Sequence, residues 1–194
     1  MPKLLGIREK IHQPYWDHLI LADDQAAAAP QVAAQTRLFT GTNLGQLNWT
    51  NMPQAGSFSS DSTYVILAIR TWTHFRGTNA LAMYHLVGNQ MYLTLRIGEK
   101  VYFQCPAWYT PAGGGVWGFD STTPLVNNGT PEQTATMKLG KPISIPARQG
   151  FTVLVDLFDV GATSLRTQFL NPVNTSGQRE IAVYLDGLFT RDVA

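Results

Sequence analysis

The chain has 194 residues, a net charge of +1 and 14% charged residues, well under the roughly 25% usual in soluble domains. Its 14 Lys and Arg are scattered and form no stripe, which argues against an electrostatic nucleic-acid binder, because such binding depends on clustered cations. A single cysteine, Cys105, rules out an intrachain disulfide.

Hydrophobic residues make up an ordinary 44%, so the deficit is in charge. Thr, Asn, Gln, Ser and Gly fill the gap. Desolvating an ion is expensive, whereas an amide or hydroxyl that finds a partner is cheap to bury. A neutral polar surface therefore suits a protein that packs against copies of itself.

The N-terminal residues MPKLLGIREKIHQPYW carry charges throughout and have no long apolar core, unlike a signal peptide. No window reaches the 18 or so apolar residues of a membrane span. The expectation is synthesis in the cytoplasm and departure only within a particle. Trp16, Leu19 and Ile20 lie at near-helical spacing. Asp23-Asp24 ahead of the run Ala26–Ala29 predicts a short helix over 23–36, since Ala favours helix and acids suit its N-terminus. Residues 41–60 are turn-rich. Residues 1–60 therefore read as an N-terminal arm or wrapping segment with little regular structure, carrying a first strand or two, and 61–194 as the folded β-domain.

From Thr63 the texture changes. Thr63–Phe75, TYVILAIRTWTHF, is a long β-rich run, and Ala80–Val87 is a weaker β-run. Met91–Ile97 alternates Met91, Leu93, Leu95 and Ile97 against Tyr92, Thr94 and Arg96. Gly98-Glu99 then fits a two-residue turn with Gly first, and Lys100–Cys105 returns as the partner strand. Trp108–Gly140 is irregular, with Pro111, Gly113–Gly115, Pro124, Asn127-Asn128-Gly129 and Pro131; loops this long usually carry contacts.

Lys141–Phe158, KPISIPARQGFTVLVDLF, reads as two strands meeting at a short turn. Ile143 and Ile145 alternate before Pro146. Phe151, Val153, Val155 and Leu157 then share one face, expected to fill the core. Leu154 and Phe158 share the other, expected to be covered by the arm or by a neighbouring subunit. After a short run at Leu165–Leu170, Glu180–Thr190 is the last strand, with Ile181, Val183 and Leu185 on one face. About eight β-runs, little helix and no internal repeat predict an all-β fold: a two-sheet antiparallel sandwich of jelly-roll type with an N-terminal arm. An immunoglobulin-like sandwich is the nearest rival.

Chemistry has little to hold on to. The histidines are His12, His18, His74 and His85. A facing His74/His85 pair is possible if their runs form a hairpin, but no metal-ligand spacing is present, and no calcium loop. No GxSxG motif occurs, and Gly113–Gly115 has no strand–helix context for a phosphate cradle; flexibility at a loop tip is its expected role. Cys105 reads as a small buried strand residue. No catalytic residue, cofactor or metal is expected. Trp108, Tyr109, Trp117 and Phe119 crowd the irregular loop. They can plug the end of the sandwich, anchor a protein partner or stack on sugar rings.

The order of segments resembles the single jelly-roll capsid proteins of tailless icosahedral viruses and phages. The carrying features are the arm, the segment RLFTGTNLGQLNWTNMPQAGSF, the long strand TYVILAIRTWTHF, the pair KPISIPARQGFTVLVDLF, and REIAVYLDGLFTRDV near the C-terminus. The resemblance spans residues 37–190. It implies a capsid-shell subunit of the virion that works by packing against itself and other virion proteins. The candidate contact residues, read from the aromatic loop and the two-faced strand, are Trp108, Tyr109, Trp117, Phe119, Leu154 and Phe158. Its alternative is a capsid decoration, or a receptor- or carbohydrate-binding sandwich using the aromatic loop 108–119. The arm departs from the basic arms of many such coat proteins. Lys3, Arg8, Lys10 and Arg37 are balanced by Glu9, Asp17, Asp23 and Asp24, so contact with neighbouring subunits, an inner shell or a membrane surface is expected in place of genome binding.

Overall fold

A computed structural model of the chain describes residues 8–21, 35–41, 44–76, 80–119, 125–157 and 179–192. In chain order these hold β1 (Arg8–His12), β2 (Tyr15–Leu21), β3 (Gln35–Leu38), β4 (Ser62–Arg76), α1 (Ala80–Gln90), β5 (Met91–Ile97), β6 (Lys100–Pro106), a 3-10 turn at Ala107–Tyr109, β7 (Trp117–Phe119), β8 (Leu125–Asn127), β9 (Lys138–Ile145), β10 (Phe151–Leu157) and β11 (Arg179–Asp192).

The antiparallel pair β4–β11 is the spine of a seven-stranded sheet. β1 and β2 pair along the free side of β11, while β8 and β9 pair along the free side of β4, with β7 beyond β8. The second sheet has four strands in the order β3-β10-β5-β6, all antiparallel. The two sheets pack face to face as an all-β sandwich, the fold class expected from the alternation.

Between them lie Tyr64, Ile66, Ile69, Phe75, Ile181, Val183 and Leu185 from the first sheet. Leu38, Leu93, Leu95, Ile97, Phe151, Val153 and Val155 come from the second. Each such side chain, once buried, stabilises the fold by about 1.5–3 kcal/mol. The long strand β4 does not keep one alternation. Opposite Asp186 and Gly187 it carries one extra residue, Ala68 and Ile69 are both buried, and the inward face moves from even to odd positions. This is the signature of a β-bulge.

The β5–β6 turn is as expected. Ile97 pairs with Lys100, and Gly98 sits at φ 57°, the left-handed value demanded of the first turn residue.

Three expectations are corrected. Ala80–Val87 belongs to helix α1, not to a strand. Ala and Leu favour helix, and Ala80 and Val87, seven residues apart on one helical face, are both buried.

The pair at Lys141–Phe158 is not a hairpin. β9 lies in the seven-stranded sheet and β10 in the four-stranded one. The Pro146–Gly150 link crosses between them, turning at Arg148 (φ 59°), whose N–H donates to Phe58 O at 3.1 Å. Ile143 and Ile145 therefore meet Phe151, Val153 and Val155 from opposite sides of one core.

Residues 1–60 are not simply an arm with little regular structure. β1, β2 and β3 are sheet strands, and Tyr15, Leu38, Phe39, Met52 and Phe58 enter the core. Phe58 stacks on Phe151 (5.4 Å, 13°) and lies against Tyr15 and Tyr64 at 5.1 and 5.2 Å. Phe39, Met52 and Phe58 arrive singly from loops, so no periodicity announces them.

Most of the helix predicted over 23–36 lies outside the described residues; its last two positions, Gln35 and Thr36, are in β3. The run Leu165–Leu170 is also outside them.

Candidate interaction surface

Pro106 closes β6 and the chain turns through one 3-10 turn. Ala107 points inward and is buried, while Trp108 and Tyr109 point out, 61% and 47% exposed. Their rings meet edge to face at 5.7 Å and 88°. The mount is rigid. Thr110 is fully buried, and its hydroxyl shares a 2.8 Å hydrogen bond with that of Thr71. Its carbonyl accepts from Thr71 N at 2.5 Å, and Thr71 O accepts from Ala112 N at 2.9 Å.

The glycines that follow are not a flexible tip. A Cβ on Gly113 would lie 2.1 Å from Asn128 O. Gly114 N donates to Thr130 O and Gly115 N to Asn128 O. Gly113 is there because the two backbones touch.

Trp117 is 56% exposed on β7, at the far edge of the seven-stranded path, with Val116 beside it at 53%. β7 pairs with β8, placing Trp117 opposite Asn127. Phe119 ends β7; its side chain, like all of Phe158, lies outside the described residues. Leu154 is covered, as expected of it, but within the folded chain: it is 2% exposed, and its register partner on β3 is Arg37, so it presents no face to another subunit. It stands on the sheet face opposite the core beside Thr94, its register partner on β5, which is equally buried.

The structure adds residues that the sequence did not single out. β6 is an outer strand of the four-stranded sheet, and Val101 and Tyr102 stand half exposed on it. Between β6 and β9 the sandwich opens into a groove of about 780 Å³. Tyr102, Phe103, Tyr109, Leu139, Pro142 and Ile143 line it, with Lys138 and Lys141. An outer strand leaves a row of backbone donors and acceptors free for another chain. The signal available beforehand was faint: KVYFQC alternates no better than a half-buried strand.

A second cluster, invisible in the sequence, lies on the outer face of the seven-stranded sheet. His18 Nδ1 meets the Glu180 carboxylate, both nearly buried, and Arg70 pairs with Asp186. Trp49 packs edge-on against the His18 ring at 5.8 Å. The two pairs join residues 162 and 116 positions apart, a juxtaposition that only the sheet register creates. The His74/His85 pairing does not occur. His74 stacks on Trp72 at 5.3 Å, and burial holds its pKa below the ordinary histidine value, helped by Arg76. His85 is exposed on α1.

Among the described residues no three His, Cys, Asp or Glu side chains are placed to hold a metal ion. Cys105 is buried, and burial pushes its thiol up to about 11, the opposite of an activated nucleophile. Among the same residues no helix is long and apolar enough to cross a membrane. Comparison with protein-family models and with curated proteins returns no match.

Proposed function

We propose that this protein is a structural subunit of a virus or phage capsid shell, a jelly-roll sandwich that assembles by packing against copies of itself and other virion proteins. The observation that carries the reading is the combination of rigidly mounted, exposed aromatic rings with an open sheet edge. Trp108 and Tyr109 stand on a buried, hydrogen-bonded base, and Tyr102 stands on the outer strand β6. Rigid aromatics are the usual anchors of protein interfaces, because they bury much area at little entropic cost. The low charge of the chain supports the same reading.

In this reading the protein has no catalytic role and resides in the virion. The test is the full-length chain at high concentration, followed by sedimentation and electron microscopy. Shells, rings or defined oligomers are expected. The double variant Val101→Lys/Tyr102→Glu should remain folded and lose them. A wild-type chain that stays strictly monomeric and forms no particle would overturn the reading.

A further inference from the structure

We propose that the cavity between α1, the 3-10 turn and β4 is a binding site for one neutral sugar ring. The inference takes up the sugar-stacking alternative for the aromatic loop and stands independently of the assembly reading. The cavity measures about 180 Å³ and is lined by Tyr84, Val87, Trp108 and Pro111 at its sides and by Thr73 and Asn128 among its polar groups. Drug-sized ligands occupy roughly 300–1,000 Å³, so this space suits a single ring.

Asn128 makes the site specific. It is 6% exposed. Its Oδ1 accepts from Thr73 N at 2.6 Å and from the Thr73 hydroxyl at 2.7 Å. A backbone N–H can only donate, so the orientation of the amide is settled. Its Nδ2 has no hydrogen-bond partner among the described residues and is not one of their sealed polar atoms, and Asn128 lines the cavity. A donor that water can reach is open to a ligand oxygen, which would take the place of that water. The nearby hydroxyls of Thr71 and Thr110 are already joined to each other, so the amides of Asn128 and Asn89 are the donors that line the space.

The rest of the lining joins apolar and aromatic side chains to the neutral amide of Asn89. Apart from His85, no ionisable group other than the Tyr84 phenol lines the space, so a charged ligand finds no counter-charge. A sugar ring matches both halves of the site. Its C–H face covers an indole, and a ring hydroxyl or acetamido carbonyl accepts from Nδ2. An apolar side chain from a protein partner would fill the walls but leave Nδ2 unmet. Gly88 keeps the entrance clear: a Cβ there would reach Trp108 Cβ at 3.9 Å, an ordinary contact, and a longer side chain would extend over the cavity.

The experiment is a saturation-transfer NMR titration of the full chain with glucose and N-acetylglucosamine, together with a glycan array. Binding is expected for the wild type and at least tenfold weakening in Trp108→Ala. Gly88→Leu should block binding while keeping or raising the thermal midpoint, because Leu is the better helix former. Asn128→Asp keeps the acceptor for Thr73 and removes the donor, so it should also lose the sugar. The absence of any sugar signal, or a signal that survives Gly88→Leu, overturns the proposal. Loss of self-assembly in Gly88→Leu with no sugar binding in the wild type also overturns it, and assigns the cavity to a neighbouring copy.

Discussion

The Asp17 carboxylate accepts a hydrogen bond from the backbone N–H of Phe39 at 2.5 Å, tying β2 to the end of β3 across the two sheets. Phe39 sits at φ 63°, a conformation rare for a residue with a side chain, and its ring is 1% exposed against Phe151 at 5.6 Å. Left-handed backbone at a non-glycine residue costs of order 1–3 kcal/mol and persists only where its surroundings enforce it. Asp17 is one enforcing group and the buried ring is the other.

Asp17→Ala should therefore destabilise the fold by about 2–3 kcal/mol, the cost of leaving a buried N–H without its charged acceptor. Urea denaturation monitored by tryptophan fluorescence measures it. Asp17→Asn, which keeps one acceptor oxygen, should lose less. Equal stability of Asp17→Ala and wild type would show that the hydrogen bond contributes nothing.

Alkaline pH should unfold the aromatic core in a defined window. Burial pushes the Tyr15 phenol up to about 12, with Arg191 opposing, and also raises Tyr64, helped by Tyr15. The Tyr64 hydroxyl donates to Gln13 O at 2.8 Å and Leu185 O at 2.5 Å. With folded pKa values above the unfolded value near 10, the unfolded chain loses these protons first. The contribution is fully present below pH 10 and is lost as pH rises from about 10 to 12. Stability plotted against pH in the Tyr15→Phe variant should fall less steeply there; an unchanged slope would exclude Tyr15 as a source.

Two glycines should respond with opposite sign. Gly113→Ala forces a Cβ to within 2.1 Å of Asn128 O, and separating two backbones should cost about 2–3 kcal/mol. Gly88→Ala meets only an ordinary contact in a helix and should stabilise by up to about 1 kcal/mol. Thermal midpoints of the two variants, one lower and one at or above wild type, check both.

Cys105 should resist alkylation in the native state. With its thiol pushed up to about 11 by burial, little thiolate forms near neutrality, and the sulfur is covered. Iodoacetamide should label it only when urea unfolds the chain. Rapid labelling of native protein would mean that β6 opens locally.

Much of the sandwich was readable in advance because strand alternation and glycine turns are local signals. β4, the β5–β6 turn and β11 needed only their own residues. α1 was misread because a short apolar run fits a buried strand as well as a helix. The sheet membership of β9 and β10 was misread because adjacency in sequence favours a hairpin, whereas Pro146 and the left-handed Arg148 redirect the chain across the core. At the candidate surface, Trp108, Tyr109 and Trp117 were legible as aromatics in a loop. Their exposure was not, and neither was whether Leu154 is covered within the chain or by a neighbour, because alternation says which residues share a face and not what covers that face.

By itself the sequence determined that the chain is all-β, poor in charge and rich in loop aromatics, since composition and period-two patterning depend only on neighbours along the chain. Tertiary structure alone decided which strands share a sheet and that Tyr15, Leu38, Phe39, Met52 and Phe58 help to close the core. It also decided that Asp17 meets Phe39, that Glu180 meets His18, and that Asn128 and Trp108 line one cavity. Those relationships join residues far apart in sequence, and they exist only once strand register has fixed which side chains stand together.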